Sequence, residues 1–230
     1  MVVKVVLTGG PCAGKTSCLR AIREQFGEQV ITAPEAATLV LGSGFPPPGH
    51  ERIGCAQDEW VQSFQGTILS IQQTVEESFA QLARNCRVRL IVCDRGVLDG
   101  AAYWPGGREA FLRHFGCSLE ACFARYRSVL HLQSLAESHP HLYGPTGNLI
   151  RYEDVTDAVR IERAVLAAWE GHPGRTVLAG DVDLQSRIAR VLDHIRAMLM
   201  SPSEPRPYGS GGLGFAPLPY GRGSVFSAGP

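Results

Sequence analysis

GGPCAGKT, residues 9–16, stands between VVKVVL at 2–7 and SCLRAIREQF at 17–26. The first flank is a short β-branched run that reads as a buried strand. The second has the composition and length of a helix. The octapeptide between them fits G-x-x-x-x-G-K-[ST] at Gly9, Gly14, Lys15 and Thr16. Strand, glycine-rich turn, helix is the setting this motif needs. Glycines let successive N–H groups curl inward into an anion nest, and the helix start adds its positive dipole end. Gly9, Gly10, Pro11, Cys12, Ala13, Gly14, Lys15, Thr16 and Ser17 are thus expected to hold the phosphates of a nucleoside triphosphate. Lys15 reaches the outer phosphates, and the Thr16 hydroxyl is a ligand for Mg²⁺.

Outward from the motif, strands and helices alternate. Val30–Thr32 is a second short strand, and GSGFPPPG at 42–49 is loop. From Asp58 to Asn85, Trp60, Phe64, Ile68, Ile71, Val75, Phe79 and Leu82 recur at steps of three and four, the period of one long helix with one buried face. VRLIVCD at 88–94 is nearly all apolar and ends in an acid, the pattern of a central parallel strand. SVLHL at 128–132 and TVLAG at 176–180 are further strands, Tyr152–Trp169 is a charged helix, and a last helix follows Asp183. The alternation predicts an α/β fold of three layers: a central parallel sheet of about five strands with helices on both faces. The sequence divides into a P-loop domain over 1–200 and a tail over 201–230. In the tail seven Gly, six Pro and five Ser predict disorder.

Composition narrows the class. Lys plus Arg and Asp plus Glu both number 22 in 230 residues, so no net positive charge points to a nucleic-acid partner. Seven Cys, an odd number with no C-x-x-C pair, fit reduced thiols in a cytoplasmic protein better than a disulfide framework. No stretch approaches about 18 consecutive apolar residues, so no membrane span is expected.

In parallel sheets ligands sit beyond the carboxyl ends of the strands. Asp94, at such an end, is expected beside the P-loop, binding Mg²⁺ through water or taking a proton from an attacking hydroxyl. Alternatively it caps the next helix. Arg95 either grips a substrate phosphate or carboxylate or forms a structural ion pair. Asp99 is a weaker substrate-binding candidate. Glu35, in TAPEAA, is either a general base for a hydroxyl acceptor or a first-turn acid favoured by the helix dipole. His131 reads as a satisfied core histidine.

TGGPCAGKTS, APEAA, CDRGVLDGAAYWP and AWEGHP together resemble the NadR-type and TRP-channel translocation-defect-protein-like P-loop AAA domains, over roughly residues 2–200. The resemblance implies a kinase-like domain with a strand order near 2-3-1-4-5 and nucleotide contacts at Gly14, Lys15 and Thr16. It also matches Asp94–Arg95 to the "DR" of nucleoside and thymidylate kinase-like enzymes. Such kinases carry a lid arginine, for which Arg151 is the candidate. The nucleotidyltransferase domain of full-length NadR proteins has no counterpart, and Asp181 stands where the family often has Asn. The expected function is therefore an ATP-binding phosphotransferase that moves the γ-phosphoryl to a small nucleoside-like hydroxyl acceptor with Mg²⁺. The alternative is an ATP- or GTP-dependent switch or ATPase module without such an acceptor. No NKxD guanine motif occurs, since neither Asn85 nor Asn148 begins one.

Overall fold

The computed structural model describes residues 2–46, 56–138, 155–180 and 183–200. Five strands form one parallel sheet: β1 (Val3–Thr8), β2 (Val30–Ala33), β3 (Leu90–Asp94), β4 (Ser128–Leu132) and β5 (Arg175–Leu178), in the order β2-β3-β1-β4-β5. This is the order the resemblance implied. Register sets Leu7 beside Asp94 and Thr8 beside His131. The loops after β1, β2, β3 and β4 therefore emerge along one edge of the sheet, which creates the site.

β1 shows why the sheet needs cover on both sides. Val5, Val6 and Leu7 are all fully buried, and alternate residues of a strand face opposite ways. Val5 and Leu7 pack with Leu19 and Ile22 of α1 (Lys15–Phe26) and with Val191 and Ile195 of the last helix, Leu184–Met200. Val6 faces the opposite core, with Leu69 of the long helix, Phe111, Ile161, Val165 and Trp169.

The remaining helices, in chain order, are α2 (Ala36–Gly42), α3 (Gln57–Ala83), α4 (Gly107–Phe115), α5 (Leu119–Ala124), α6 (Leu135–Ser138), α7 (Val155–Ala168) and α8, the last helix just given. A 3₁₀ turn spans Asp99–Tyr103. The sequence pattern did not reveal α4, α5 or α6. Each is under ten residues, too short for periodicity to stand out.

For α3 the period is as expected, but the most buried face is not the apolar stripe. Gln65, Leu69, Gln72 and Glu76 are deeply buried, whereas Leu82 is 53% exposed and Ile68, Ile71, Val75 and Phe79 are half-buried. A polar row lies deepest because it faces a cavity and an ion-pair network. Arg151, Asp181 and the 201–230 tail lie outside the described residues. No helix among the described residues is long and apolar enough to cross a membrane.

Candidate functional site

The turn after β1 has the backbone its glycines allow. Gly9 and Gly14 lie at φ 136° and 84°, with Gly14 as the N-cap of α1. A Cβ on Gly9 would overlap the carbonyl oxygen of Leu132. Lys15 folds back over the turn and donates from Nζ to Gly9 O at 2.8 Å and Gly10 O at 2.9 Å. The first half of the loop is tied outward as well. The Ser134 hydroxyl donates to Pro11 O, and Arg187 of α8 donates to Ala13 O at 2.6 Å.

Glu35, Asp94, Arg95 and Asp99 converge on this loop from the ends of β2 and β3. All four line, with Lys15 to Ser17, one cavity of about 600 Å³. Glu35 occupies the N-cap of α2, but its carboxylate does not cap the helix. Instead Oε1 accepts from Arg95 Nε at 2.5 Å and Oε2 from the Thr38 hydroxyl at 2.8 Å. Asp94 does not cap a helix either: its Oδ1 is buried and has no hydrogen-bond partner among the described residues. Arg95 also reaches Asp99 Oδ1 at 3.2 Å, so its guanidinium lies between two carboxylates. Asp99 is the most committed of the four. It accepts from the Thr8 hydroxyl, Arg95, Gly96 N at 2.9 Å and Trp169 Nε1 at 3.0 Å. Its oxygens brace the wall of the cavity.

The electrostatics separates these groups. Burial raises Asp94 against the pull of Lys15, with Glu35 pushing the same way as burial, to about 6. Burial also acts to raise Glu35, but Arg95 and Lys15 outweigh it and hold that carboxyl at about 2. Burial and then Arg95 lower Lys15 to about 8. One acid is poised near neutrality while its neighbour stays ionised, a pattern typical of functional sites.

A buried anionic oxygen without a donor is expensive unless something cationic meets it. Asp94, with the exposed Thr16 hydroxyl at the start of α1, therefore fits an oxygen-preferring divalent ion. Beyond the phosphate loop the cavity continues between α2, α3 and the 3₁₀ turn, past Phe64, Gln65, Leu69, Gln72, Tyr103 and Phe111. Gln65 Oε1 is buried there without a partner among the described residues. Gln72 Nε2 is fixed by Glu76 Oε1 at 2.9 Å and Arg95 O at 3.1 Å.

Glu162 was not singled out by the sequence, yet it touches the loop: its Oε2 accepts from Gly10 N at 2.7 Å. It sits in a charged helical stretch, where one buried acid looks like the exposed ones. His131 is buried as expected, with Nε2 2.5 Å from Glu162 Oε1, but it is not fully satisfied, since its Nδ1 has no hydrogen-bond partner among the described residues.

A family model described as an AAA domain matches residues 4–187. Among solved structures, deoxyadenosine kinase from M. mycoides with bound dATP is similar with a TM-score of 0.57. It shares 12% sequence identity, with 84% of this chain and 99% of that chain covered. At that identity the likeness is one of fold: a P-loop kinase-like fold. No curated protein matches the chain.

Proposed function

Because this chain belongs to the AAA domain family, we propose that its P-loop binds ATP and that the protein transfers the γ-phosphoryl to a small nucleoside-like molecule bearing a hydroxyl. The observation that carries this reading is the extent of the cavity. It does not end at Lys15 but runs on to Glu35 and along α3, leaving room for a second small molecule against the phosphate site. A hydrolase of the nucleotide alone has no need of that space.

The loop from Gly9 to Ser17 cradles the phosphates through N–H groups other than that of Gly10, which Glu162 holds, and Pro11, which has none, and Lys15 exchanges the carbonyls of Gly9 and Gly10 for phosphate oxygens. Thr16 and Asp94 would hold Mg²⁺, which when bound neutralises charge on the phosphates. Glu35, kept ionised by Arg95, accepts a hydrogen bond from the acceptor hydroxyl and aligns its oxygen. Phosphoryl transfer has a loose transition state, so the hydroxyl keeps its proton until late and a weak base in the right place suffices. Arg95 holds Glu35 and sits near the transferred group, while Asp99 fixes Arg95. Gln65 and Tyr103 supply polar contacts to an acceptor ring otherwise enclosed by Phe64, Leu69 and Phe111. Arg151 remains the proposed lid arginine.

The test is ADP formation from MgATP across a panel of nucleosides, including ribosylnicotinamide, and hydroxyl-bearing controls. Turnover that rises only with particular acceptors supports transfer. Acceptor-independent turnover, or binding of ATP or GTP without turnover, supports the switch or ATPase alternative.

A further inference from the structure

The phosphate loop is held from outside by a group its motif does not contain. Glu162 of α7 is 1% exposed. Its Oε2 accepts from Gly10 N at 2.7 Å and from Ser134 N at 3.1 Å, and Oε1 lies 2.5 Å from Nε2 of the fully buried His131. One carboxylate thereby joins the loop after β1, the turn after β4 and α7.

The fit is close enough to dictate a residue. A Cβ on Gly10 would lie 2.5 Å from Glu162 Oε2 and 3.2 Å from its Cα. The motif leaves its second position open, so glycine there answers to α7 and not to phosphate. Burial acts to raise the Glu162 carboxyl, but the His131 contact and the two backbone donors lower it overall, so it stays ionised. Hydrogen bonds to an ionised acceptor are about twice as strong as neutral ones. Gly10 N is thus directed away from the nest and tied to α7, and a shift of Gly10 relative to that helix breaks this bond.

We propose that Glu162, oriented by His131, is a positioning residue of the phosphate loop and the link through which an occupied loop acts on α7. This rests on reading the loop as a nucleotide site. Coupling of this kind is reciprocal: whatever rigidifies the loop protects α7, and loosening α7 weakens phosphate binding.

The experiment compares the full chain with Glu162→Gln, Glu162→Ala and Gly10→Ala. Hydrogen exchange of the nucleotide-free protein comes first. Gly10 and Ser134 N–H should be protected in the parent and should exchange at least about tenfold faster in Glu162→Ala, which removes their acceptor. Calorimetry with MgATP and with inorganic triphosphate follows. Glu162→Ala and Gly10→Ala should weaken both by about tenfold, and the slowing of α7 exchange that MgATP causes in the parent should disappear.

Glu162→Gln should fall between. Its amide oxygen can still accept from both N–H groups, but its NH₂ must then donate to His131 Nε2. A purely architectural Glu162 gives the opposite outcome: lower melting temperatures, with MgATP affinity and nucleotide-induced α7 protection as in the parent. That result overturns the proposal. If Glu162→Ala does not fold, Glu162→Gln and Gly10→Ala decide by the same readouts. If the parent binds neither MgATP nor triphosphate, the nucleotide reading falls and the coupling to α7 with it, while exchange in the free protein still decides the positioning role.

Discussion

Arg95 donates from Nε to Glu35 Oε1 at 2.5 Å while its own backbone sits at φ 67°. A left-handed conformation costs a non-glycine residue about 1–2 kcal/mol. It persists because both ends of the residue are tied, Arg95 N to Leu7 O at 3.1 Å and Gln72 Nε2 to Arg95 O at 3.1 Å. The result is a guanidinium that leaves the end of β3, meets the acid after β2 and lies beside the phosphate loop, with Nη1 3.5 Å from Gly9 O. Strain at a cleft of this kind is a sign of function.

Replacing Glu35 with Gln tests that pair. The folded carboxyl lies at about 2 against an ordinary 4.5. A depressed acid contributes stability that is complete above its unfolded value and is lost as pH falls from about 4.5 towards about 2. The contribution is of the order of 3 kcal/mol. Urea midpoints at pH 7 should therefore fall in Glu35→Gln, and the gap from the parent should close by pH 2–3. Acceptor-dependent turnover at pH 7 should fall about a hundredfold, with ATP affinity within about threefold of the parent.

Asp94→Asn should move stability the other way. The folded carboxyl is raised from 3.8 to about 6. An acid with a raised value favours the folded state while protonated, and that advantage is lost as pH rises from about 3.8 through about 6. At pH 7 the ionised Asp94 thus burdens the fold, by up to about 3 kcal/mol. The Asn variant should be more stable than the parent at pH 7 and equal to it near pH 4 by denaturant titration. The same variant should lose the tightening of ATP binding by Mg²⁺, since the negative charge that would meet the ion is gone. Gain of stability with loss of function is the signature of a strained site.

Much of this cleft was legible from the strand ends. Asp94 could be placed beside the P-loop because VRLIVCD is nearly all apolar and ends in the acid, and Glu35 because it follows a strand of the same sheet. What decides their roles was not legible. Arg95 pairs with an acid 60 residues away, and no local pattern encodes a distance of 2.5 Å. Glu162 and Glu76 were hidden for a related reason. Periodicity finds apolar stripes, whereas a buried carboxylate follows the helical spacing of any exposed acid. In α3 the polar row Gln65–Gln72–Glu76 lies deeper than the apolar stripe because its partners come from β1, the turn after β3 and the segment before β4.

Glu76 is the test of that row. It is fully buried and accepts from Lys4 Nζ at 2.9 Å, Arg125 Nη2 at 2.9 Å and Tyr126 Oη at 2.6 Å. Removing one partner of a buried ion pair leaves the other charge uncompensated, which costs about 3–5 kcal/mol. Glu76→Ala should destabilise the chain by that amount in equilibrium unfolding, a large share of a typical domain's total. It should also free the Gln72 amide and so the carbonyl of Arg95.

Lys15→Ala separates binding from folding most sharply. In the free protein the ammonium satisfies itself on two loop carbonyls, Gly9 O and Gly10 O. Burial and Arg95 have already lowered it to about 8. A lysine with a depressed value burdens the folded state below that pH, and the burden fades as pH rises from about 8 towards 10.5. Removing it should therefore leave the melting temperature at pH 7 unchanged or higher. Phosphate oxygens reverse the balance, because they need the charged form. Calorimetry should show at least a hundredfold loss of MgATP affinity in Lys15→Ala at pH 7, about 2.7 kcal/mol or more, from the missing charge-assisted bonds. In the parent, affinity should fall as pH rises above about 8, with a proton taken up on binding, and in Lys15→Ala that pH dependence should vanish. A variant that binds as the parent does, with the same pH profile, would remove Lys15 from the phosphate site and the nucleotide reading with it.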